Sequence, residues 1–211
     1  NLLKTHFDCV DVLISGSNYS LKPSMPIKYR NKGITFSITN GKIDYIKTLS
    51  NLDLFTSYLE QKNIPFKDYD LVVTDFEPVT AWGALRHSIP SIHISHQASF
   101  IENNVPRPSF KNLIGEYVMK YFCPTSDYIG LHYQSYGDHI SEPIISRNIK
   151  SIVTNSVEDH ITIYLPWYQD DYLYNIFKEF KDLKFHIFSK HTQIINELGG
   201  VTFFPIEEVS F

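Results

Sequence analysis

The stretch DLVVTDFEPVTAWGALRHSIPSIHISHQ, Asp70 to Gln97, decides the fold. Leu71-Val72-Val73 is a continuous apolar run, the mark of a strand covered on both faces. It stops at two carboxylates, Asp75 and Glu77, set on either side of Phe76. Pro78 follows, a residue that the first helical turn tolerates because an N–H there would lack an intrahelical partner. The spacing predicts a helix to about His87, and Pro90 precedes a second strand from Ile92 to Ser95. Strand, short loop, helix, strand is a βαβ unit, so the two strands are parallel. In an open parallel sheet, ligands gather beyond the carboxyl ends of the strands. Asp75 and Glu77 emerge at that rim, beside the positive end of the next helix, where water or a ligand hydroxyl can meet them.

Outward from this unit the pattern continues. Cys9 to Asn18 reads as a strand closed by a turn at Gly16. Ile34, Phe36 and Ile38 alternate with polar residues before Asn40-Gly41, which predicts a second short strand and a tight turn. Apolar residues recur at helical spacing from Ile43 to about Glu60, and Ser109 to Tyr121 offers a further helix. From Phe122 to about Asn148 the chain is aromatic, polar and irregular, a strand-and-loop insertion or a connection between domains. A second alternation starts at Ile161: a strand ITIYLP, a helix Asp170 to Lys181, a strand KFHIFS, a short helix Gln193 to Leu198 and a strand VTFF. The expected architecture is α/β, with a Rossmann-like parallel-sheet domain over 1–150 and the start of a second over 151–211.

Composition narrows the function classes. Of 211 residues, 43% are hydrophobic and 20% charged, and the net charge of −4 comes without a long run of either sign. No basic stripe tracks a phosphate backbone, which argues against nucleic acid as a partner. No apolar stretch approaches the ~20 residues of a membrane-spanning helix. Cys9 and Cys123 form no CxxC or Cys/His grid, which fits a reduced, cytoplasmic setting. The chain begins at Asn1 and ends on what reads as a helix just started, Glu207 to Phe211, so a piece of a longer chain is expected.

The candidate site residues cluster at predicted strand ends. Either Glu77 caps the helix at Pro78 while Asp75 bonds to nearby backbone amides, or the two acids serve in binding or as a general base. His93 and His96 have opposite parity on a strand, which disfavours a two-histidine metal site. His93 reads as a core or cleft-wall histidine, whereas His96 and Gln97 stand at the strand end, able to bond a polyol or their own backbone. The loop Pro166-Trp167-Tyr168 has no glycine, so phosphate binding by that loop alone is weakly supported. Trp167 is a stacking surface or, as aromatics there more often are, part of the core. Cys123 has no basic activator nearby in sequence and reads as a buried thiol.

The Asp70–Gln97 stretch, the segment CPTSDYIGLHYQSYGDHISEPIISRNI and ITIYLPWY together resemble a family. It is the two-Rossmann-domain, GT-B class of bacterial and archaeal glycosyltransferase-like proteins. These are related to the N-acetylglucosaminyltransferase that makes the peptidoglycan lipid precursor. The resemblance runs from about Val10 to Phe211. It implies transfer of a sugar from a nucleotide-sugar, such as a UDP-sugar, to the hydroxyl of a glycan or lipid-linked acceptor, with no bound metal or other cofactor. Asp75, Glu77 and His96 would then be catalytic. Gly16, Phe76 and Gln97 would bind on the acceptor side, and Pro166, Trp167, Ser189 and His191 on the donor side. A lipid-linked acceptor implies peripheral contact with the inner membrane. The family's opening glycine-rich loop and its later nucleotide-gripping segment are not in this chain. The resemblance therefore implies an inactive fragment whose exposed apolar edges favour association with another chain, a second copy included. Two alternatives stand beside it: a non-catalytic sugar- or nucleotide-binding module, and a different α/β sugar enzyme such as an epimerase or hydrolase.

Overall fold

The structure, a computed structural model, describes residues 3–16, 26–34, 36–39, 42–44, 47–48, 54–109, 112–145, 149 and 159–206. The chain divides into two compact units. One comprises Asn1–Thr35 and Leu52–Ile152, and the other Phe36–Asn51 and Val153–Phe211.

The first unit holds a sheet of β5 (Val72–Thr74), β6 (Ser91–Ser95), β7 (Asp127–Leu131) and β8 (Ile140–Ser141), in that order and parallel throughout. A separate parallel pair joins β1 (Leu13–Ser15) to β2 (Tyr29–Asn31). Helix α1 (Leu54–Lys62) lies beside α2 (Pro78–His87), and α3 is Leu113–Tyr121. The predicted βαβ unit is present, with Val73 opposite Ile92 and Thr74 opposite His93. Phe66, Val79, Ala81 and Ala84 form part of its core. Small residues on α2 let the helix approach closely, and Phe66 fills the space they leave.

The region from Phe122 to Asn148 is more regular than the sequence predicts, because β7 and β8 are integral strands of the sheet. Asp127 and Gly130 hide β7 from a hydrophobic pattern. Gly130 is required: a Cβ there would stand 2.5 Å from Cα of Ser99, on the 3-10 turn Gln97–Ile101 that lies across the strand. The helix predicted from Ile43 appears as α1 and as helical backbone at 47–48, while Ile43 itself lies in a strand. Residues 45–46 and 49–53 of that prediction lie outside the described residues.

In the second unit, β9 (Ile161–Tyr164), β10 (Phe185–Ser189) and β12 (Val201–Pro205) run parallel, with β10 between the other two. Helix α4 (Asp170–Phe177) covers one face, where Leu173 meets Phe185, Ile187, Val201 and Phe203. The short helix predicted over Gln193–Leu198 is instead an antiparallel strand, β11 (Asn196–Leu198), paired with β12. The physical reason follows it directly: Gly199, at φ 65°, and Gly200 make a two-residue hairpin loop that returns the chain onto β12. β3 (Ile38–Thr39) and β4 (Lys42–Ile43) pair antiparallel, with Ile38 opposite Ile43, while the predicted turn at Asn40-Gly41 lies outside the described residues. The predicted helix start at Glu207–Phe211 lies outside the described residues.

Candidate functional site

Because β5 and β6 are parallel, the residues that follow them leave the same end of the sheet. Glu77 is spent on the fold there. Its Oε1 accepts from the Val79 amide at 2.9 Å and from Oγ of Ser15 at 2.8 Å. Its Oε2 accepts from the Thr80 amide at 2.7 Å and the Thr80 hydroxyl at 2.6 Å. Pro78 has no N–H to satisfy, so one carboxylate caps the two amides that follow it in the first turn. Asp75 differs in every respect. It is exposed, it has no hydrogen-bond partner among the described residues, and the atoms crowded around it raise its carboxyl above the usual range by desolvation.

Between the two acids, Phe76 takes a left-handed φ of 50°, an unfavourable conformation for a bulky side chain. The turn is held from both sides. Thr74 Oγ1 accepts from the Glu77 amide at 3.1 Å, and the Phe76 ring stacks on His93 and meets Phe122. His93 is buried at 1% exposure. Its Nε2 lies 2.7 Å from Oγ of Ser95, its Nδ1 has no partner, and burial pushes its pKa down to about 4. Cys123 is buried under the same turn, and burial pushes its thiol up to about 12.

His96 lies at the surface beyond β6, its Nδ1 2.9 Å from the carbonyl of Leu131, and Gln97 opens the 3-10 turn that follows. His132, which the sequence reading passed over, stacks against His96 from the end of β7. Its only sequence signal was its place in an aromatic-polar run. Gly16 closes β1 at φ 126°, and its amide bonds the carbonyl of Asn31.

In the second unit, Trp167 is 53% exposed, and Nζ of Lys190 stands 4.3 Å above its ring centroid. It is a surface ring and not a core one, contrary to the commoner use of an aromatic at such a position. Ser189 is buried and gives its hydroxyl to Asp170, which also accepts from Thr192 at 2.7 Å. The His191 amide donates to Ser189 Oγ at 3.0 Å, with the His191 side chain exposed, and Pro166 is half-buried. Trp167 and Lys190 thus come together after β9 and β10, while Ser189 belongs to the internal bracing of that rim. Asp170, Thr192 and Lys190 were missed because their roles depend on which loops meet.

Among the described residues, no three His, Cys, Asp or Glu side chains gather as a metal site would require. No described helix is long and apolar enough to cross a membrane. The protein is an α/β protein whose larger sheets are built on parallel strands, an arrangement compatible with Rossmann-like units, with polar side chains at the carboxyl ends of those strands. No family model, curated protein or solved structure matches the chain.

Proposed function

We propose that this chain is part of a GT-B-like glycosyltransferase, one that moves a sugar from a nucleotide-sugar to an acceptor hydroxyl. Asp75 carries the reading. Of two carboxylates two positions apart, Glu77 has its oxygens occupied by four donors, whereas Asp75 stands exposed at the strand end, with no hydrogen-bond partner among the described residues and a raised proton affinity. That division leaves Asp75 as the base for an acceptor hydroxyl and Glu77 as the residue that positions it. In the second unit, the exposed Trp167 with Lys190 over its ring offers a flat surface and a cation, suited to a nucleotide base and its phosphates.

The test is sugar transfer from a panel of nucleotide-sugars, by this chain and by any longer chain that contains it. Asp75→Asn is expected to lower turnover at least about 100-fold, the range of a lost general base. Unchanged turnover after that substitution removes Asp75 from the chemistry. Nucleotide-sugar binding without transfer by either form supports a binding module instead.

A further inference from the structure

Two imidazoles lie side by side where β6 and β7 end. The ring centroids of His96 and His132 are 5.9 Å apart, with planes inclined by 24°. Their backbone partners differ in kind. Nδ1 of His96 faces the carbonyl of Leu131 at 2.9 Å, and a carbonyl carries no hydrogen, so this Nδ1 must donate. Nδ1 of His132 lies 3.1 Å from the amide nitrogen of Gln134, which can only donate, so this Nδ1 must be bare. In their neutral forms the two rings therefore hold opposite tautomers. His96 presents a bare Nε2 that accepts, and His132 presents an Nε2–H that donates. Neither Nε2 has a hydrogen-bond partner among the described residues.

The pair is held firmly. The carbonyl of His96 accepts from the Ser99 amide at 3.1 Å and from the Ser99 hydroxyl at 2.6 Å. Ser99 in turn sits on Gly130 of β7, so close that no Cβ fits between them. Aromatic rings border the two imidazoles: the Phe100 ring is near-perpendicular to His96 with centroids 5.7 Å apart, and the Tyr136 ring to His132 at 4.9 Å. Tyr133, 88% exposed, lies 6.4 Å from His132.

We propose that His96 and His132 form a pyranose subsite in which His132 determines specificity. One sugar hydroxyl donates to Nε2 of His96, the neighbouring oxygen accepts from Nε2–H of His132, and the apolar face of the ring lies against the bordering aromatics. An anion such as phosphate suits the pair less well, since two neutral imidazoles offer no positive charge to balance it and the bare Nε2 of His96 turns a lone pair toward it. The inference rests on the sugar-transfer reading only for its choice of a sugar as ligand. The tautomers follow from the fold.

The experiment is nitrogen-15 NMR of the imidazoles in the full chain at about pH 8.5, where free imidazole is neutral. The signals are followed during titration with methyl glucopyranoside and, separately, with inorganic phosphate. Expected are a protonated Nδ1 on His96, a protonated Nε2 on His132, and glycoside shifts at both Nε2 atoms. His132→Phe keeps a ring and removes the donor, and it is expected to weaken glycoside binding about tenfold, with most of the loss recovered in His132→Gln. The same tautomer on both rings, shifts with phosphate but not glycoside, or equal binding by His132→Phe overturns the proposal. Glycoside shifts in a protein that transfers no sugar sink the transferase reading and uphold the subsite; transfer without such shifts does the reverse.

Discussion

The ring of Phe66 lies against the bare backbone of Gly83, so that a methyl group on that glycine would stand 2.1 Å from the ring's Cζ atom. Phe66 is 2% exposed and stacks on His87 one turn further along α2, so the ring has little room to withdraw. Gly83→Ala is therefore expected to destabilise the first unit by about 1–3 kcal/mol, despite the better helix propensity of alanine. Gly115→Ala in α3 is the control. Its nearest neighbour would be 3.7 Å away, an ordinary contact, so propensity decides and a gain of about 0.5–1 kcal/mol is expected. Urea denaturation of the two variants checks both signs.

Glu77 joins α2 to β1, because the oxygen that caps the Val79 amide also accepts from Ser15. Removing the carboxylate leaves two first-turn amides and two hydroxyls without it. Glu77→Ala is expected to cost about 1–2 kcal/mol, and Ser15→Ala about 1 kcal/mol or less. The double variant should cost less than the two together, since both losses act on one oxygen. Additive losses in equilibrium unfolding would show that Ser15 and Glu77 act independently.

These two positions show how far the sequence alone could be read. The βαβ unit was legible because a continuous apolar run, Pro78 and a second apolar run each mark one element through a local rule. The capping role of Glu77 was legible as one of two alternatives; that Asp75 bonds no backbone amide among the described residues depends on the course of the backbone at Phe76, which no composition reveals. β7 was not legible, since its glycine looks like a strand breaker until Ser99 is known to lie against it. β11 was missed because a short segment before Gly199-Gly200 takes its form from the strand it returns to. Likewise the exposure of Trp167 and the stacking of His132 on His96 are set by which loops meet, at separations that periodicity does not reach.

His93 makes the stability of the first unit depend on pH. Burial holds its folded pKa at about 4, below the usual imidazole value of about 6.5. Between those values the unfolded chain binds a proton that the folded chain does not, so stability falls as the pH drops from about 6.5 to about 4 and this contribution is constant below that. The interval corresponds to about 3 kcal/mol as an upper figure. His93→Gln cannot titrate and is expected to lose this slope, whatever its effect on stability at neutral pH. Unfolding midpoints across that pH range, wild type against variant, decide the matter: parallel curves would mean that His93 is protonated in the fold.

Phe76 offers the sharpest sign test, because its ring and its backbone pull in opposite directions. The ring stacks on His93 and meets Phe122, whereas the φ of 50° costs about 1–2 kcal/mol for a residue with a Cβ. Phe76→Ala loses the ring and keeps the strain. Phe76→Gly loses the same ring and relieves the strain, so it is expected to be the more stable of the two by about 1 kcal/mol. At an ordinary helix or strand position the order is reversed, since glycine is the worse residue there by about the same amount. Thermal or urea unfolding of the two variants gives the order directly, and a glycine variant weaker than the alanine one is incompatible with a left-handed turn at Phe76. The left-handed residue thus stands between the exposed carboxylate of Asp75 and the capping carboxylate of Glu77, and the order of the two variants reads the conformation of that turn.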